Sequence, residues 1–182
     1  NGCIHCEITD VRHACLDRKR CLKLEASSGR YTHTDGEKHR RVPFGAYKIG
    51  RVASGVENRF LTNDVLNDPR IHDNQWAQEL GLVSFAGYQL SQPDGERLGV
   101  LALFSKHPIS PEEDAQLEAL SNTVARVIYS SMIEESLSDS EKRFRIAFMT
   151  NPDAVTLSRI DESNQGFYVD VNDGFCDLTG YT

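Results

Sequence analysis

Four thiols crowd the first 21 residues of the chain. Cys3, Cys6, Cys15 and Cys21 follow the spacing Cys-x2-Cys-x8-Cys-x5-Cys, and the fifth cysteine, Cys176, stands alone near the other end. A Cys-x-x-Cys knuckle presents two sulfurs to one metal, and two further thiolates would complete a tetrahedral site. Such a site would order a short polar segment, because metal-binding free energy becomes folding free energy. Zinc is the default occupant. An iron–sulfur cluster is the alternative, and it would make the segment an oxygen or redox sensor. His5 and His13 stand where either could replace a thiol. The spacing matches no standard finger or ferredoxin pattern, so the same four residues also read as free or redox-active thiols, or as two disulfides. The chain has no Cys-x-x-Cys-His run, so haem attachment through that motif is unsupported.

Charge and composition narrow the remaining chemistry. Lys and Arg total 20 against 27 Asp and Glu, a net charge of −7 over 182 residues. A nucleic-acid surface wants net positive charge or a basic stripe. The short run Lys38-His39-Arg40-Arg41 reads as a solvated loop. No apolar run approaches the roughly 20 residues of a membrane span, and no basic-then-apolar leader opens the chain. The expectation is a soluble, acidic, cytoplasmic protein that binds no nucleic acid and has no membrane segment within this chain. Structural disulfides do not suit that compartment. His33, His72 and His107 have no carboxylate or nucleophile at a diagnostic spacing, and neither a Gly-rich phosphate loop nor a Gly-x-Ser-x-Gly elbow occurs. The chain is therefore read as a non-enzyme.

The elements that must position these groups are legible in the pattern. Cys21-Leu22-Lys23-Leu24-Glu25-Ala26 alternates as a half-buried strand does, and Ser27-Ser28-Gly29 closes it. Residues 31–41 are polar loop, and Pro43 holds the next piece extended. A short helix begins around 48–53, and 60–65 is a strand. Asp68-Pro69 turns the chain into a helix that Asp73 can cap, that carries Trp76 and Leu80 on one face, and that Gly81 stops. Residues 82–90 and 98–104 form a hairpin across Pro93 and Asp94-Gly95, with both strands apolar enough to be central in a sheet. Ser110-Pro111-Glu112-Glu113 is a capping box. Leu117, Leu120, Val124, Val127, Ile128, Met132, Ile133 and Leu137 then recur at helical spacing, with no Gly or Pro from 112 to 150. A helix of about 25 residues or more is predicted, longer than a small domain needs to cover its own sheet. After the break at Asn151-Pro152-Asp153, two short strands flank the loop 161–166, and a helical stretch surrounds 175–178.

Several of these blocks carry a resemblance. Ala26-Ser27-Ser28-Gly29, Val42-Pro43-Phe44-Gly45, Lys48-Ile49-Gly50, Leu61-Thr62-Asn63-Asp64-Val65, Phe85-Ala86-Gly87-Tyr88-Gln89-Leu90 and Gly99-Val100-Leu101-Ala102-Leu103-Phe104-Ser105 occur in an order that resembles a GAF domain. The match is to the type found upstream of bacterial sensor kinases and related regulators. Ser140-Glu141-Lys142-Arg143-Phe144-Arg145, Asn151-Pro152-Asp153-Ala154, Val171-Asn172-Asp173-Gly174-Phe175 and Leu178-Thr179-Gly180-Tyr181 resemble the first third of a PAS domain. The implied organisation is a Cys-rich segment at 1–20, a GAF domain at 21–130, a helical linker at 131–143 and the start of a PAS domain at 144–182. GAF domains usually open with a helix and a strand before the strand at Cys21, so a longer or altered N-terminus is expected.

The resemblance implies an α+β fold, with an antiparallel sheet of about five or six strands flanked by helices. It also implies a small-molecule pocket and a long signalling helix that pairs with a second subunit. The pocket would be lined near Phe60, Asn63, Asp64, Trp76, Phe85 and Tyr88. Trp76 and Phe85 read more readily as core aromatics than as ligand platforms, and Asn63 and Asp64 read equally as turn caps. Cyclic nucleotides are not favoured, because the Asn-Lys…Phe…Asp-Glu signature is missing, and the absence of Cys-His argues against a bilin. Cys176 reads as a small core residue. The expected function is sensing of a ligand or of redox or metal state. The signal would pass through a dimeric helix over 112–137 to a PAS domain and an output domain, as in a histidine kinase. The alternative is a dimerisation module with a structural zinc.

Overall fold

A computed structural model of the chain describes residues 21–29, 41–71 and 74–181. It falls into two compact units, Asn1–Tyr129 and Ser130–Thr182.

In the first unit, β1 (Cys21–Lys23) and β2 (Arg41–Pro43) form an antiparallel pair. Helix α1 (Tyr47–Ser54) follows and ends on Gly55, whose φ of 75° is the left-handed C-cap that glycine adopts without a Cβ penalty. Then come β3 (Arg59–Thr62), α2 (Asn74–Glu79), β4 (Ser84–Ser91) and β5 (Arg97–Ser105), with the sheet ordered β3-β4-β5 and antiparallel throughout. The β4–β5 turn closes as its Pro-Asp-Gly content predicts. Gln92 N donates to Glu96 O at 2.7 Å, and the Asp94 carboxylate accepts from Glu96 N at 3.0 Å. Helix α2 stops at Gly81 as expected, while its proposed cap Asp73 lies outside the described residues.

Strand alternation divides the sheet into two faces. Phe60 and Phe85 turn to one face, where they pack with Val52 of α1, Ala77 of α2, Val65, Ile71 and Leu82. Ala86 and Tyr88 turn to the other, with Ile109 buried beside them and Leu61 and Leu117 packed against them. The aromatic core thus lies on the α1/α2 face. The smaller second cluster lies where α3 (Pro111–Met149) begins.

Three expectations change. The first strand is Cys21–Lys23, shorter than the predicted one. Leu24 to Ser28 pair with none of the described residues, because the register that sets Lys23 opposite Arg41 carries the chain past the described end of β2. The described sheet has three strands plus the separate two-stranded pair, in place of a single sheet of five or six. Strand β5, expected to be central, is an edge among the described residues and is half-exposed along most of its length. The long helix is longer than its minimum: 39 residues, roughly 58 Å. Its capping box forms as the sequence predicts. Ser110 N donates to Glu113 Oε2 at 2.8 Å, and Glu113 N donates to Ser110 Oγ at 3.2 Å.

The second unit takes α3 from Ser130 and adds β6 (Thr156–Ile160), β7 (Gly166–Val171) and α4 (Asp173–Thr179). Its organising residue is Asn172, which is fully buried. Its amide nitrogen donates to Asn151 O at 3.0 Å and Asp153 O at 2.8 Å, and its Oδ1 accepts from Val155 N at 2.8 Å and Phe175 N at 3.0 Å. One side chain therefore ties the break after α3, the start of β6 and the N-terminus of α4.

Candidate functional site

The aromatic face is the densest chemical feature of the first unit. The Phe85 ring centroid lies 5.7 Å from that of Phe60 and 4.9 Å from that of Phe104, and Trp76 meets Phe104 edge-on at 5.1 Å. These are the tilted and T-shaped arrangements that aromatic quadrupoles favour. Lys48 of α1 is buried here, with its Nζ 4.8 Å from the Phe85 centroid and 4.9 Å from that of Phe104. An ammonium against two ring faces gains cation–π attraction, and the low local dielectric strengthens its pull on any anionic group brought near. Lys48 stands in one of the blocks that carry the resemblance, but no motif assigns it a chemical role. Its signal was positional: it falls one turn before Val52 on the buried side of an amphipathic helix.

A second, polar feature follows β3. Asn63 binds the backbone of Ile109 at two points, donating to its carbonyl at 3.0 Å and accepting from its N–H at 2.8 Å. Asp64 accepts from Asn67 Nδ2 at 2.9 Å. Arg70 spans both oxygens of buried Asp68, at 2.8 Å and 2.6 Å, and lays its guanidinium 4.1 Å from the Phe60 ring centroid. The side-chain hydrogen bonds from Arg70 hold the Asp68 carboxyl at about 2, well below its ordinary value. An open cleft of ≈ 390 Å³ is lined by Thr62, Asp64, Asn67, Asp68, Pro69 and Arg70.

The third feature joins the sheet to α3. Tyr88 donates its hydroxyl to Asp114 Oδ1 at 2.6 Å, and Arg59 Nη1 lies 3.2 Å from Asp114 Oδ2 and 3.2 Å from Glu118 Oε2. Burial first, and the Asp114 carboxylate second, push the Tyr88 hydroxyl far above its ordinary pKa, so it remains a donor.

The six residues expected at a pocket are thus divided. Phe60, Trp76 and Phe85 come together on the aromatic face, Tyr88 lies on the opposite face against α3, and Asn63 and Asp64 sit in the turn after β3. Of the four thiols, Cys3, Cys6 and Cys15 lie outside the described residues. Cys21 opens β1, and its Sγ accepts from Arg41 Nη1 at 3.4 Å. Among the described residues no group of three or more His, Cys, Asp or Glu is placed to hold a metal ion. Sequence reasoning missed Arg59, Phe104 and Asp114. Phe104 stood inside the predicted hairpin. Arg59 reaches Glu118 across 59 residues of chain, a separation at which no spacing rule operates.

Comparison with known proteins bears on the same span. The family described as GAF domain matches residues 5–128. No curated protein matches the chain. It is similar in structure to a GAF domain region from Geobacter sulfurreducens PCA, with 20% identity and a TM-score of 0.47 over 56% of this chain and 68% of that one. A second similar structure is the GAF domain of a phosphoenolpyruvate-protein phosphotransferase from Coxiella burnetii. Identity there is 24% and the TM-score 0.47, over 58% of this chain and 64% of that one. A third is a type II free methionine-R-sulfoxide reductase from Thermoplasma acidophilum, at 16% identity and a TM-score of 0.43, over 54% of this chain and 67% of that one. The family match takes in β1 through the first half of α3, including the aromatic face and the sheet-to-helix contacts. The chain belongs to the GAF domain family.

Proposed function

We propose that the chain is the sensory part of a bacterial, cytoplasmic signal-transduction protein of the sensor histidine kinase kind. In this reading the aromatic face of the GAF domain, with Lys48 against Phe85 and Phe104, receives a small ligand. The thiols of Cys3, Cys6, Cys15 and Cys21 hold zinc or an iron–sulfur cluster, or report redox state. Helix α3 pairs with that of a second subunit, and residues 144–182 begin a PAS domain that passes the signal to an output domain. The chain itself performs no catalysis, and no helix among the described residues is long and apolar enough to cross a membrane.

The observation that carries the reading is α3 itself. It leaves the sheet with apolar side chains open to solvent. Val127 is 61% exposed, Met132 50% and Leu137 59%, with Ile128 and Ile133 also exposed. Single exposed apolar residues need no explanation, whereas a run of them along one helix suits a helix-pairing seam. Light scattering on the purified chain is expected to give a dimer, and the pair Ile128→Glu with Met132→Glu a monomer; an unchanged dimer would refute the seam. Elemental analysis with visible absorption on anaerobically prepared protein tests the thiols. One zinc per chain without colour favours a structural site, a brown air-sensitive chromophore favours a redox sensor, and no metal with four alkylatable thiols removes the metal site.

The close packing of Phe85 and Phe60 supports a second reading, a dimerisation module that senses nothing and holds a structural zinc. Heat release on titration with candidate small molecules would separate it from the first.

A further inference from the structure

We infer that Asp114 is a latch by which the GAF sheet holds or releases the first turns of α3, with the Asn63–Ile109 pairing as the pivot about which the helix moves. The inference rests on the reading that α3 is the output of the module, and it assigns how that output is gated.

Arg59 of β3 and Tyr88 of β4 face each other directly in the antiparallel register. Both reach one carboxylate, Tyr88 at Oδ1 and Arg59 at Oδ2, and the same guanidinium nitrogen also meets Glu118 one turn further along. Asp114 is therefore satisfied only while the two strands keep that register and twist. The neighbouring residue in β3, Phe60, points to the other face, into the aromatic cluster with Phe85 of β4. A change that reshapes the aromatic face thus acts on the two strands that hold Asp114.

Release is inexpensive in apolar terms. The apolar contact beneath the helix is small: Ala86, Tyr88 and Ile109 form one buried cluster with Leu61 and Leu117 at its margin. Further along α3 within the first unit, only the small side chains of Ser121 and Ala125 are buried among the described residues. The charges that separate have water at hand, since Arg59 and Glu118 are half-exposed. The loop just before the helix does not share this dependence. Asn63 grips the N–H and carbonyl of Ile109 together, so the chain stays pinned to the end of β3 while α3 swings.

Hydrogen exchange on the full chain tests this without any ligand. A helix that loses its docking contacts keeps only its own hydrogen bonds, which are marginal in water. Tyr88→Phe and Asp114→Asn should each accelerate amide exchange over residues 115–129 by about tenfold, the factor expected for losing one charge-assisted hydrogen bond. Exchange in β4 and β5 should stay unchanged, and Arg59→Lys, which keeps the charge, should stay near the parent. Unchanged exchange over 115–129 overturns the latch. Equal acceleration across β3, β4 and β5 also overturns it, because the cluster would then serve only general stability. A chain found monomeric by light scattering would defeat the dimeric output while leaving this exchange pattern in place, so the two failures are distinguishable.

Discussion

Among the described carboxylates, Asp68 is the one held furthest below its ordinary pKa. Its side chain is 7% exposed, and both oxygens are taken by Arg70. The arginine bonds lower its pKa from 3.8 to about 2. A carboxylate whose folded pKa lies below its unfolded value adds stability that is fully present above the unfolded value and is lost as pH falls through the folded one. The window here runs from about pH 4 down to about pH 2. Because Arg70 is about half-exposed, the contribution is discounted to roughly 1–2 kcal/mol. Asp68→Asn is therefore expected to lower stability by that amount at pH 7, and the gap from the parent should close between pH 4 and pH 2. Urea unfolding at a series of pH values measures it; a gap that persists at about pH 2 would mean that packing, and not charge, is what Asp68 supplies. Asp64 shows the contrast: its hydrogen bond to Asn67 is exposed and shapes a turn.

At the scale of elements, the backbone of α1 approaches the end of β2 closely. Gly50 lies so near that an added Cβ would run into the carbonyl oxygen of Pro43, and its own carbonyl accepts from Gly45 N at 2.8 Å. Gly50→Ala should therefore cost about 1–3 kcal/mol through overpacking, although alanine is the better helix former. A thermal midpoint at or above the parent's would show that α1 can step back freely. This glycine was quoted in a sequence block, but its reason was not legible there, because it depends on a contact between separate elements. The capping box of α3, the Gly81 stop and the β4–β5 turn were legible, since each is made by residues within a few positions of one another. Among the described residues, the extent of β1 and the edge position of β5 were not, because strand length and rank depend on which partners pair. The candidate site divided along the same line. The aromatic residues were identified by type, whereas only strand alternation in three dimensions separates Tyr88 from Phe85.

Over the whole molecule, the two units differ sharply in how much they bury. The first has the aromatic cluster and the α3-side cluster. In the second, Phe148 is the one large apolar side chain that is buried among the described residues, and Leu157, Ile160, Tyr168 and Val169 of its hairpin are exposed. A two-stranded hairpin with open faces is marginal in water, and a unit secured largely through one polar residue has little apolar area to resist unfolding. Unfolding should therefore depart from two-state behaviour. The chain has a single tryptophan, Trp76, set against Phe104 in the first unit, so its fluorescence reports that unit alone. Far-UV circular dichroism reports both. The dichroism transition is expected to begin at lower denaturant than the fluorescence transition. Asn172→Ala, which removes the side-chain partner of Val155 N, Phe175 N, Asn151 O and Asp153 O, should move only that early phase to still lower denaturant. Coincident transitions in the parent, or an equal shift of the tryptophan signal in the variant, would mean that the units unfold as one. In that case the stability of the second unit would have to come from elsewhere in the molecule, since the residues it buries for itself are too few to provide it.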